Sequence, residues 1–127
     1  MAHRLHSAER LKSRKEIGRL FATGAETFSS YPIRILFRPV EVERGPHPVQ
    51  VTFVVPKKRF KRAVDRNLLK RRMREAYRLH KEALLSTASG QQQIGMLVMY
   101  TGQEALSYAI IERKMVKLLG RVAERLT

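Results

Sequence analysis

Between Pro56 and Lys81 the chain carries twelve basic residues (Lys57, Lys58, Arg59, Lys61, Arg62, Arg66, Lys70, Arg71, Arg72, Arg74, Arg78 and Lys81) against two acidic ones, Asp65 and Glu75. Cations at this density are suited to neutralising phosphates, a process that releases condensed counterions and so weakens steeply with salt. Projected at about 100° per residue, Arg66, Asn67, Lys70, Arg71, Arg74, Arg78 and Lys81 share one arc of a helix. Leu68, Leu69, Met73, Ala76, Leu79, Ala83 and Leu84 occupy the other. A helix that merely faces water gains about 0.2–0.5 kcal/mol per opposite-charge pair at i, i+4. Here that spacing joins like charges, Arg66 with Lys70, Lys70 with Arg74 and Arg74 with Arg78. The arrangement costs the free protein stability, and it reads as a face for a polyanion. The preceding Lys-Lys-Arg-Phe-Lys-Arg at 57–62 falls on a loop or turn that can wrap a phosphate backbone.

Other chemistries find little material. A protein nuclease needs paired carboxylates for metal ions or a histidine placed as general base. The chain has 11 Asp and Glu in all, and Glu41 and Glu43, the closest grouping, sit in a proline-bounded loop. His3 and His6 fall in a polar leading segment, His47 lies between two prolines, and His80 falls near the apolar side of the basic helix. Each reads as structural or as surface, so no catalytic and no metal-binding residue is assigned to the protein. With no cysteine, disulfides, thiolate metal sites and a thiol nucleophile are excluded.

The elements that must position the basic helix can be read from periodicity. Residues 9–22 place Leu11, Ile17, Leu20 and Phe21 on one side, a short amphipathic helix capped by Ser7 or Ser13 and closed by Gly24. From Thr27 to Val42 apolar and polar residues nearly alternate, giving one or two strands limited by Pro32 and Pro39. Residues 45–48 form a turn or loop, and Val49–Val55 has the β-branched density of a central strand. A helical pattern runs from Val64 to Leu85, a polar stretch at 86–93 reads as a flexible loop, Gly95–Tyr100 is a buried strand, and Glu104–Leu126 is helical again. Residues 1–8 read as mobile. The whole, 1–127, is expected to form a single α+β domain: a two-layer α/β sandwich with helices packed on a mixed sheet.

The balance of 26 Lys and Arg against 11 Asp and Glu gives a formal charge of +15 on 127 residues, of which 43% are hydrophobic. Such a chain can bury a core, yet its self-repulsion implies a polyanionic partner. Nucleic acid comes first and an anionic membrane second. The membrane reading is the weaker one, because a membrane-surface helix needs bulky apolar residues beside its basic ones, and here the apolar side of the helix is needed by the sheet. No apolar run approaches the ~18 residues of a membrane span, and the amino terminus is polar where a signal peptide would be apolar. A cytoplasmic protein is expected.

The stretch VPKKRFKRAVDRNLLKRRMREAYR resembles the arginine-rich signature of the bacterial ribonuclease P protein subunit. RLKSRKEIGRLFATG at 10–24 is similar to that family's first helix, VTFVVPKK to the strand before its basic loop, and LVMYTGQEAL to its last strand and the turn that follows. Two positions depart. Leu68 stands where the family usually has a further arginine, and Ile17 where it often has an aromatic residue. The resemblance implies the order helix, three strands, helix, strand, helix with a left-handed crossover, where sequence alone favours the common right-handed one. It implies that the catalyst is an RNA subunit, which uses magnesium, bound mainly by that RNA, to hydrolyse a phosphodiester and remove the 5′ leader of precursor tRNA.

The protein's share, on this resemblance, is to bind that RNA through Lys57, Lys58, Arg59, Lys61, Arg62, Arg66, Asn67, Lys70, Arg71, Arg74 and Arg78. It would also hold the single-stranded leader in a cleft between the first helix and the sheet, with Phe21, Ile17, Phe37 and Tyr31 as its lining. An unpaired base stacked on an aromatic ring contributes roughly 1–3 kcal/mol without demanding a sequence, although Phe28 and Phe37 can equally serve a core. The partners implied are ribonuclease P RNA and precursor tRNA, with no membrane and no obligate protein partner. The alternatives are a structural basic RNA-binding protein, such as a ribosomal component, and a helix-turn-helix DNA binder. The latter requires a second short helix immediately before the basic one, and 56–62 is too charged to supply it.

Overall fold

The computed structural model describes residues 9–22 and 24–127. The chain runs α1 (Arg14–Leu20), β1 (Glu26–Ser30), β2 (Ile33–Pro39), β3 (Val49–Val54), α2 (Ala63–His80), α3 (Glu82–Ala88), β4 (Ile94–Tyr100) and α4 (Tyr108–Leu126). The strands form one mixed sheet in the order β1-β2-β4-β3. β1 and β2 make an antiparallel hairpin around the cis Tyr31–Pro32 bond, β4 lies antiparallel to β2, and β3 lies parallel to β4, joined to it through α2 and α3.

Because successive strand side chains point to opposite faces, the alternating sequence of β2 divides cleanly. Ile33, Ile35 and Phe37 meet Val49 and Val51 of β3 and Met96, Val98 and Tyr100 of β4 in one apolar layer. It is covered by Leu69, Met73 and Tyr77 of α2, Leu84 and Ala88 of α3, and Ile111, Met115, Leu118 and Val122 of α4. Among the described residues, the opposite face is covered by α1 and the extended residues before it. There Leu11 and Leu20 bury Leu97, with Ile17, Leu36, Val54 and Met99 only partly enclosed.

Four expectations change. The first helix is shorter: Ser13 caps it by accepting from the Glu16 amide, it ends at Phe21, and Gly24 (φ 108°) lies in the turn beyond. Residues 10–11 run extended instead, Leu11 donating to the Val51 carbonyl at 2.8 Å along the outer edge of β3. The single helix over 64–85 is broken at Lys81, whose ammonium is buried in an ion pair with Glu9 at 2.8 and 3.0 Å. Turning this cation inward toward a buried carboxylate takes it off the basic arc and starts a new helix direction at Glu82. The 86–93 loop contracts as well, since 86–88 close α3 and the Gln93 side chain is buried against the 43–47 segment, donating to the Arg44 and His47 carbonyls and accepting from the Arg44 amide. The segment 1–8 lies outside the described residues.

The last helix begins at Tyr108 rather than 104. The Tyr100 hydroxyl donates to the Glu104 carbonyl and accepts from the Leu106 amide, holding 104–106 as a turn until Ser107 caps α4. A side chain at Gly102 would meet the Tyr100 ring at 2.8 Å and Pro32 at 2.9 Å, so this close crossing requires glycine. Among the described residues, no helix is long and apolar enough to cross a membrane.

Candidate nucleic-acid interface

The basic loop is anchored from below. Phe60 is buried edge-on against Tyr100, with ring centroids 5.7 Å apart, while Lys57, Lys58 and Arg59 form the exposed turn after Pro56. Lys61 and Arg62 are exposed at the start of α2. Arg66 ties the two pieces together: its Nη1 donates to the Phe60 and Lys61 carbonyls, both at 2.8 Å. The loop is thereby tied to the helix, and Arg66 acts as a positioning residue.

Along α2 the buried positions are Leu69, Met73, Ala76 and Tyr77. Asn67 and Arg71 are exposed, and Lys70, Arg74 and Arg78 are half-exposed. Arg78 is engaged by Glu75, its Nε donating at 3.0 Å, and that hydrogen bond holds the Glu75 carboxyl below the usual carboxylate range. Arg72 lies off this face and donates to the Leu106 carbonyl at 2.7 Å, fastening α2 to the segment before α4. Lys70 and Arg74 face a cleft of about 280 Å³ whose other walls are Arg10, Leu11 and Lys12 and the β3 residues Val51, Thr52 and Phe53. Four cations from two segments therefore surround one opening at the β3 edge of the sheet.

The face of the sheet under α1 is the second candidate surface. Its residues are those alternating with the core: Arg34, Leu36 and Arg38 of β2, Thr52 and Val54 of β3, and Leu97 and Met99 of β4, aligned in rows by the strand register. The α1 helix is fixed over this face through Glu16. One carboxylate oxygen takes the Arg19 guanidinium at 3.0 Å, and the other accepts the Glu41 amide at 2.8 Å and the Val42 amide at 3.3 Å. Burial raises the Glu16 carboxyl, but these amides and Arg19 outweigh it and hold it below its ordinary value. Arg38 completes the clamp by donating to the Arg19 carbonyl at 3.2 Å.

Of the four residues expected to line a cleft here, Ile17 is half-buried and packs, as Leu36, Val54 and Met99 do, against the Leu11, Leu20 and Leu97 cluster, and Phe21 stands 57% exposed at the carboxyl end of α1. Phe37 does not belong to this face. It is 2% exposed on the opposite side of the sheet, its ring centroid 5.7 Å from that of Phe28, because its parity matches Ile33 and Ile35. Tyr31 is exposed, but in the hairpin turn, its hydroxyl accepting from the Gln103 amide at 3.3 Å. It stands at the other end of β2 from Arg38 and α1. The residues missed by sequence reasoning are Arg10, Lys12, Arg34, Leu36, Arg38, Thr52, Val54 and Met99. The signal was present in the alternation of Ile-Arg-Ile-Leu-Phe-Arg-Pro at 33–39, where two arginines share parity with Leu36.

Among the described residues no group of three or more His, Asp or Glu side chains is placed to hold a metal ion. His80 meets Glu112 at 2.9 Å on the surface between α2 and α4. His3 and His6 lie outside the described residues.

The family model for ribonuclease P matches residues 5–123. The ribonuclease P protein component of Porphyromonas gingivalis is 39% identical over 121 residues, spanning 94% of this chain and 86% of that protein. That of Chlorobaculum tepidum is 36% identical over 102 residues, 76% of this chain and 66% of the relative. Among solved structures, the RNase P protein of Thermotoga maritima superposes with a TM-score of 0.68 at 23% identity, covering 89% of this chain and 96% of that one. The Staphylococcus aureus RNase P protein gives 0.68 at 19% identity, covering 94% and 99%. The signature on α2, the four-stranded sheet and these relatives converge, and the chain belongs to the ribonuclease P protein family, the protein component of an endoribonuclease whose catalyst is RNA.

Proposed function

We propose that this subunit binds ribonuclease P RNA through the 57–62 loop and the exposed cations of α2, and that it receives the 5′ leader of precursor tRNA on the face of the sheet partly covered by α1. The chain works with the catalytic RNA as a member of its family. The observation that carries the finer division is the cleft at the β3 edge, where Lys70 and Arg74 stand opposite Arg10 and Lys12. These four cations lie between the α2 face and the open face, where they can take phosphates at that edge. On the open face, Leu36, Val54, Met99 and Ile17 supply apolar surface, Phe21 an exposed ring, and Arg34 and Arg38 charge. That combination of flat or apolar platforms with cations suits an unpaired strand read without sequence demand.

The chain's own residues bind and position, and they neutralise phosphate charge that would otherwise oppose docking of two RNAs. Magnesium, in this reading, is held by the RNA and supplies the hydrolytic chemistry there. A cytoplasmic site of action accords with the absence of cysteine.

The test is reconstitution with the cognate RNA and a precursor tRNA at low magnesium. The protein is expected to lower the magnesium requirement and to tighten precursor binding as the leader lengthens. Lys70→Ala with Arg74→Ala should weaken binding to the catalytic RNA, whereas Phe21→Ala should weaken precursor but not mature tRNA. Equal losses for the two tRNAs in the Phe21 variant would overturn the assignment of the leader to the α1 face. Unchanged affinity for the catalytic RNA in the α2 variant would overturn the assignment of α2.

A further inference from the structure

The criterion that singles out α2, like charges at i, i+4, is met a second time on α4, here with no acid between them. Arg113, Lys117 and Arg121 form a row along this helix, with Lys114 beside it, and three of the four are exposed. The acids of α4 do not answer them. Glu112 is turned to the other flank, where it meets His80 at 2.9 Å and Tyr108 at 3.5 Å. No ion pair joins Arg113, Lys114 or Lys117 to a carboxylate among the described residues, while Arg125, at the end of the helix, is taken by Glu26 at 2.6 Å. Arg121 lies over the Phe28 ring, 4.6 Å from its centroid, which orients its guanidinium without neutralising it.

This row is separate from the one on α2. Arg125 and Arg121 place it beside β1, whereas Lys70 and Arg74 place the α2 cations beside β3. β1 and β3 are the two edges of the sheet, three strand spacings or about 14 Å apart. Two cationic rows thus flank the helical layer on opposite sides, and one RNA strand cannot lie along both without turning across α2 and α4.

We infer that the Arg113, Lys117 and Arg121 row of α4 is a second RNA-binding surface, and that its ligand is the phosphate backbone of a double-helical RNA segment. A single strand would call for stacking platforms. Here Phe28 is half-buried beneath Arg121, and Val116 is the large apolar side chain of α4 that stands exposed. A duplex offers only its backbone and shape to such a surface, and a straight row of cations about 12 Å long on one helix flank suits it. The protein would then join two RNA segments, one at each edge of its sheet.

The inference does not depend on α2 being the site for catalytic RNA, and the test separates the two. Binding of a short blunt-ended RNA duplex is measured against salt for the wild type, for R113Q/K117Q, and for both in a K70Q/R71Q/R74Q background, with folding checked by circular dichroism. The Arg121 position is left intact because it packs on Phe28. Duplex binding is expected to persist in the α2-altered background and to fall at least tenfold when the α4 changes are added, with the salt slope smaller by about two units. Unchanged duplex affinity and slope on altering α4 would overturn the inference, whatever the α2 changes do. So would a preference of the α4 row for anionic phosphatidylserine vesicles over duplex RNA.

Discussion

On the side of the sheet that meets α2, α3 and α4, Ile33, Ile35 and Phe37 are 0%, 0% and 2% exposed. Their neighbours in sequence, Arg34, Leu36 and Arg38, look out from the opposite side, beneath one seven-residue helix, and remain exposed or half-buried. Three helices seal the first face, whereas α1 covers the second in part and is held there chiefly by Glu16 and Arg38. The difference shows how so small a chain divides its work. The sealed face supplies stability, and it leaves the outer flanks of α2 and α4 to carry cations. The open face sacrifices burial and keeps apolar and cationic groups available to a ligand.

The most direct way to break this division uses two adjacent residues of β2. Phe37→Ala should cost about 3–5 kcal/mol in chemical denaturation, since a large buried ring is lost, with leader affinity unaltered in the molecules that remain folded. Leu36→Ala should cost about 1 kcal/mol, half the value of complete leucine burial, while weakening precursor tRNA more than mature tRNA. If Leu36→Ala proves the more destabilising, the open face is not open.

A smaller effect is expected at Glu16. Replacing it with Gln removes a charged acceptor from two backbone amides and should cost about 1–3 kcal/mol. Because the folded carboxyl is held below its ordinary value, its contribution is complete above the unfolded pKa and is lost as pH falls through the folded one. In acid titrations followed by circular dichroism the wild type should therefore lose this advantage as pH falls through the range, whereas the Glu16→Gln protein, less stable at neutral pH, should show a flatter stability across it. An unchanged acid profile would mean that α1 is not held by this carboxylate.

The smallest effects concern the two faces' helices directly. Gly18 of α1 and Gly120 of α4 each have open space where a side chain would go, so Gly18→Ala and Gly120→Ala should each add about 0.5–1 kcal/mol. For Gly120→Ala the gain should appear in global unfolding. For Gly18→Ala it should appear first as slower amide exchange within α1, the more lightly anchored helix. Equal behaviour would indicate that α1 opens only with the whole protein.

Much of this organisation is legible in the sequence where a strong period coincides with strong chemistry. The apolar side of α2 is set by Leu69, Met73 and Ala76 at helical spacing, and the exposed side by cations that have no other place to go. Val49–Val54 and Ile94–Tyr100 are strands because dense runs of apolar and β-branched residues bounded by turns have few alternatives. Where an element's role depends on a distant partner, the reading runs out. The break between α2 and α3 depends on Glu9, 72 positions from Lys81. Arg66, Arg72 and Arg78 look alike as cations on a helical projection, yet they differ in what accepts from or pairs with them: the loop carbonyls, the Leu106 carbonyl and Glu75.

Residue type and periodicity, which are local properties, determined that this chain carries a basic amphipathic helix and the ribonuclease P signature. Tertiary structure decided which cations remain available, which face of the sheet stays open and that a second basic row lies beside the opposite edge. These outcomes depend on long-range pairing, since a charge is free for a ligand only when no carboxylate or carbonyl elsewhere in the fold has reached it first.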